Sequence, residues 1–175
     1  MAYMKQARVA LAAAALLAAG MAHAGDTATV TVNATVVGTC KFASTTGTIN
    51  LGGSIDPSTV GPTGLSQPLG LVINCTKNTN LGSILLQPVV AAEGTATAGG
   101  AASLGGGTYS GTMKSGTDSL PFTITWPTTN IAGQGFGASA YTAANLTLTA
   151  SVTQAAIQAA PAGSYSSQVQ VVITP

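Results

Sequence analysis

Between residues 26 and 37 the chain reads DTATVTVNATVV, and the character of its side chains changes at every step. Ala28, Val30, Val32, Ala34 and Val36 are apolar; Thr27, Thr29, Thr31, Asn33 and Thr35 between them are polar. Successive side chains of an extended strand point to opposite faces, so this order makes one apolar face and one face of hydroxyls and an amide. A helix would scatter both sets around its circumference. The β-branched Val and Thr residues add their own preference for extended backbone. Two uses are open to such a strand. It can pair within its own chain as the first strand of a self-contained sandwich, the usual fate of an N-terminal strand, or it can lay its apolar face into a groove on another molecule.

The same period of two recurs along the chain. Residues 36–42 continue extended through Gly38 and bring Cys40 into a sheet, and a short TINL at 48–51 precedes a turn-rich stretch holding Pro57 and Pro62. LGLVINC at 69–75 sets Leu69, Leu71, Ile73 and Cys75 on one face, where Cys75 can meet Cys40 across neighbouring strands. Residues 81–90 predict a strand with Pro88 at an edge or bulge. Residues 91–107 are low in complexity and predict a long flexible surface loop. Their glycine clusters are not a phosphate cradle, since no Lys-Ser/Thr follows and no helix opens after them. Residues 108–114 and 120–126 predict two strands joined by the turn SGTDS. NLTLTASV at 145–152 points Leu146, Leu148, Ala150 and Val152 inward. Residues 153–160 read as strand end plus turn, because Pro161 and Gly163 stop any helix and so short a helix cannot hold itself. The final run, 164–175, alternates Tyr165, Val169, Val171 and Ile173.

Short strands at this spacing, separated by Gly/Pro turns, predict an all-β fold, an immunoglobulin-like sandwich. Such a sandwich needs seven strands to cover its core, and six candidates follow the opening segment. Nothing after Ile173 can return to seal the last edge, which predicts an open apolar groove beside an unpaired strand.

Composition narrows the function. Lys5 and Arg8, the apolar residues 9–19 and the Ala22-His23-Ala24 pattern form an export signal, cleaved after Ala24. Its apolar core is too short to span a bilayer, which takes about twenty residues, so no permanent membrane anchor is expected. Beyond it the charges are Lys41, Lys77 and Lys114 against Asp26, Asp56, Glu93 and Asp118, with no Arg and no His. Nucleic-acid binding, which needs clustered cations, is excluded. General acid–base catalysis has no His and no paired carboxylates, and the many Ser and Thr have no base to activate them, so no catalytic, cofactor or metal site is expected. In an oxidising compartment Cys40 and Cys75 are most simply a disulfide.

The alternating ATVTVNATV after the signal, Gly-Thr-Cys-Lys-Phe at 38–42, VINC ending in Cys75, LPFTITW at 120–126 and PAGSYSSQVQVVIT at 161–174 together resemble the spore coat protein U-like domain. This is the subunit type of archaic chaperone–usher pili of Gram-negative bacteria. Ser167, where the family pattern predicts Asp, and Trp126-Pro127 depart from it. The resemblance implies an immunoglobulin-like β-sandwich lacking its last strand, with a signal peptide at 1–24, an N-terminal donor-strand extension at 25–37 and a pilin domain at 38–175. It implies that Ala28, Val30, Val32, Ala34 and Val36 bind in a neighbouring subunit's groove, edged by Tyr165, Val169, Val171 and Ile173. The implied partners are other copies of the chain or related pilins, a periplasmic chaperone and an outer-membrane usher. The implied destination is a fimbrium at the cell surface, serving attachment and biofilm formation. The rival expectation is a secreted, self-complete sandwich acting as a coat or binding protein.

Overall fold

Runs of period two become strands wherever another such run lies beside them. A computed structural model of the chain describes residues 28–95, 97–99, 105–127, 131–136 and 144–175. The expected export signal at 1–24, with Ala22 and Ala24, and the first two residues of the opening stretch lie outside the described residues. Residues 36–175 form one compact unit; residues 28–35, in the other, carry no strand or helix.

The strands are β1 (Cys40–Phe42), β2 (Leu65–Cys75), β3 (Ser83–Pro88), β4 (Thr97–Gly99), β5 (Gly107–Ser115), β6 (Asp118–Trp126), β7 (Ala144–Val152) and β8 (Val169–Thr174). All pairings are antiparallel, in a five-stranded sheet ordered β1-β2-β7-β6-β5 and a three-stranded sheet ordered β4-β3-β8. A 3-10 turn (Ala91–Glu93) and one short helix, α1 (Gln154–Ala159), are the only helical elements among the described residues. The chain is an all-β protein.

The two sheets share one apolar core. The five-stranded sheet contributes Ile73, Tyr109, Leu120, Phe122, Ile124, Trp126, Leu146, Leu148 and Val152, and the three-stranded sheet contributes Ile84 and Leu86, both fully buried. β5 and β6 form a hairpin whose two-residue connection begins at Gly116, φ +60°. A type II′ hairpin turn reserves that position for glycine. The segment 131–136 crosses to the β2–β3 connection and is held there by four backbone bonds, including Gly133 N–H to Thr79 O at 2.8 Å and Gly135 N–H to Cys75 O at 3.0 Å. Gly133 is required at this crossing, since a Cβ there would sit 1.9 Å from Thr76 O.

Cys40 and Cys75 are disulfide-bonded directly across β1 and β2, with Cα atoms 4.0 Å apart. The bonds Ala43 N–H to Val72 O and Thr76 N–H to Thr39 O, both 2.9 Å, fix the phase of this ladder. They leave Cys40–Cys75 as a non-hydrogen-bonded pair, the pairing in which facing side chains come closest.

Several expectations are corrected. Residues 153–160 hold a helix rather than strand end and turn. Thr153 caps it by accepting the Ala156 N–H at 3.2 Å, and Ile157 is buried in the core, so packing supplies the stability that six residues lack. The expected loop 91–107 contains the 3-10 turn and β4, which pairs with Ile84, Leu85 and Leu86. Pro88 ends a strand flanked on both sides instead of lying on an edge. It faces the β4 side beyond that strand's three residues, where no N–H is needed. Residues 36–39 remain outside any strand, β1 being only three residues long, and among the described residues 48–51 pair with no strand.

Candidate strand-binding groove

β8 is the strand on which the site is built. Val89 N–H donates to Gln168 O at 3.0 Å and Gly82 N–H to Thr174 O at 2.8 Å, so the even-numbered residues of β8 turn their backbone groups toward β3. Just upstream, Ser166 exchanges both backbone bonds with Lys114 of β5, again through an even-numbered residue. The amides and carbonyls of Val169, Val171 and Ile173 therefore face the other way. Among the described residues no strand pairs with that side. The same odd-numbered residues send their side chains toward the core: Val169, Val171 and Ile173 are half-buried, while Gln170 between them is exposed.

Beside this open edge lie two cavities. The first, about 430 Å³, runs between Val169 and Val171 on one side and Phe42, Ile49, Leu69 and Leu71 on the other, with Phe122, Ile124, Leu148 and Ala150 beneath. The second, about 520 Å³, is walled by Ile55, Leu65, Leu120, Val152, Ile157 and Tyr165, with the small residues Ala160, Ala162 and Gly163 at its rim. Ile49, Leu51 and Met113 line both. Among the described residues no charged side chain lines either cavity.

The rim is braced by polar contacts. Tyr165 OH donates to Pro161 O at 2.8 Å, a bond from the approach to β8 back to the preceding corner. Burial first, and the charge of Asp118 second, push the Tyr165 phenol up from its ordinary pKa. Ser167 Oγ donates to Glu93 Oε2 at 2.7 Å, tying the approach to β8 to the 3-10 turn after β3. At the far end of β8 the Ser83 and Thr174 hydroxyls bond across the two strands, and near its start Gln87 Nε2 donates to Gln170 Oε1 at 2.7 Å.

The residues singled out in the sequence fall into three places. Tyr165, Val169 and Val171 line the groove, whereas Ile173 packs opposite Ile84 beyond it. Ala28, Val30, Val32, Ala34 and Val36 are all exposed, the three valines by 82%, 86% and 80%, and belong to no strand. Cys40 and Cys75 join where the arm meets the domain. There Thr76 accepts the Thr39 N–H at 3.1 Å through its hydroxyl and donates its own N–H to Thr39 O. Sequence reasoning missed the groove's far wall. Ile49 and Leu51 in TINL, and Met113 on β5, sit in runs that show the period of two, but nothing in either run says which cavity it faces.

Compared with protein-family models, with curated proteins and with solved structures, the chain matches none of them.

Proposed function

We propose that this protein is a structural subunit of a fibre of the archaic chaperone–usher type, assembled when the N-terminal arm of one copy enters the groove of the next. The domain is then an immunoglobulin-like sandwich lacking its last strand, and the Tyr165–Pro161 bond is its tyrosine corner. The observation that carries the reading is the pairing of an open β8 edge beside an uncharged groove with an arm that exposes alternating valines. The edge offers inward positions at residues 165, 167, 169, 171 and 173, and the arm offers apolar side chains at 28, 30, 32, 34 and 36. Burial of each valine stabilises the docked strand by about 1.5 kcal/mol or more, with the alanines adding less. Backbone bonds to Val169, Val171 and Ile173 join them, as in other complexes formed by adding a strand to an open edge.

On this reading a periplasmic chaperone covers the groove until an outer-membrane usher exchanges it for the next subunit's arm. The fibre at the cell surface then serves attachment and biofilm formation. The exchange of many contacts at once makes dissociation slow, so the fibre's durability is kinetic as well as thermodynamic. Deleting residues 26–36 tests the proposal. The shortened exported chain is expected to bind a peptide of that sequence yet form no polymer, by gel filtration and electron microscopy. Polymer formed without the arm would overturn it. An intact exported chain that stays a stable monomer at high concentration would instead mark a self-complete secreted coat or binding protein.

A further inference from the structure

Met113 is the only methionine after residue 21, and Cys40 and Cys75, the other two sulfurs there, are tied to each other. It is half-buried on β5 opposite Leu120, and with Ile49 and Leu51 it forms the wall common to both cavities. One readily oxidisable sulfur therefore stands where the two uncharged cavities meet, between the apolar side chains Ile49 and Leu51.

We propose that Met113 is an oxidation site that closes the groove, an inference that rests on the strand-docking reading above. The oxidant is a peroxide. The thioether sulfur donates a lone pair to one peroxide oxygen, the O–O bond breaks, and water leaves after proton transfer to the other oxygen. The sulfur is oxidised to the sulfoxide and the peroxide is reduced. The product replaces a flexible apolar side chain with a polar one. An arm laid over it would bury the new S=O against Ile49 and Leu51, out of water, and taking a polar group out of water is costly. Once filled, the groove covers the sulfur and excludes the oxidant. Empty subunits are thus sensitive to oxidation and assembled ones are protected.

The test uses the exported chain, residues 25–175, with a labelled synthetic peptide of residues 26–37 as probe and hydrogen peroxide as oxidant. Mass spectrometry is expected to find one added oxygen, on Met113. Peptide affinity should then fall by about tenfold or more, the cost of burying one unpaired polar group. A Met113→Leu variant should show the same affinity before and after peroxide treatment, whatever its starting value, since leucine cannot be oxidised. Protein already holding the peptide should oxidise several-fold more slowly at Met113 than empty protein, a rate that does not depend on how the product folds. Equal rates in filled and empty protein, full affinity after complete sulfoxidation, or an equal loss of binding in treated Met113→Leu would each overturn the inference alone. Failure of the untreated protein to bind the peptide would overturn the docking reading and this inference with it.

Discussion

Tyr109 is fully buried on β5, its ring 6.0 Å from that of Phe122, and its hydroxyl has no hydrogen-bond partner among the described residues. Burial first, and the charge of Glu93 second, push its phenol above the ordinary pKa of 10.0. A phenol whose folded pKa is raised favours the neutral form. Its contribution is fully present below the unfolded value and is lost as pH rises through the folded one. Native stability should therefore decline above about pH 10. Tyr109→Phe is expected to soften that decline and, at neutral pH, to leave stability unchanged or raise it by about 1 kcal/mol, because it removes a buried group that bonds to nothing. Urea unfolding of both proteins at pH 7 and pH 10.5 measures this; a large loss at pH 7 would mean the hydroxyl has a partner. The serine at 167 also has a physical sense. Ser167 donates to Glu93, and an aspartate there would set two carboxylates at hydrogen-bond distance, so serine at 167 goes with glutamate at 93.

Among the elements, α1 shows how far packing can override length. Six residues rich in alanine have no stability alone, yet Thr153 caps the first turn, Gln154 Nε2 donates to Val60 O at 2.7 Å, and Ile157 fills the core above the second cavity. Thr153→Ala should cost about 1 kcal/mol, as loss of an N-cap hydroxyl typically does. The thermal midpoint reports it, and an unchanged midpoint would mean that Ile157 alone holds the helix. β2 carries Pro68 without penalty for a related reason. Its missing N–H falls on the side where β1, only three residues long, has already ended. β5 is bridged at Gly111 by Gly94 and at Lys114 by Ser166, β2 beyond the short β1 carries Pro68 on its open side, and β8 is the edge that lies beside the groove among the described strands.

For the whole molecule, the Cys40–Cys75 bond closes a sequence separation of 35 residues that takes in the long segment 43–64, which carries no strand. In the chain-entropy account its loss costs about 3–4 kcal/mol. A Cys40→Ser/Cys75→Ser protein should show a correspondingly lower urea midpoint, and wild type in reductant should match it. Equal midpoints with and without the bond would show that β1 and the Thr39–Thr76 contacts suffice.

Alternation in the sequence marked the long strands β2, β3 and β5 to β8, their inward faces and the facing of Cys40 to Cys75, while the most regular run, residues 28–36, belongs to no strand. Leu146, Leu148, Ala150 and Val152 are buried as their spacing requires, because side-chain direction in a strand is a local property of the backbone. The same locality explains why the arm's two faces and the lack of charge around the groove could be read without coordinates. Tertiary structure alone decided where those faces go. It turned residues 153–160 into a helix by burying Ile157, folded Thr97–Gly99 onto β3, and brought Ile49, Leu51 and Met113 from distant segments to one wall. A period of two says which side of a strand is apolar; which apolar sides meet, and which edge is left open, depends on contacts between residues far apart in the chain.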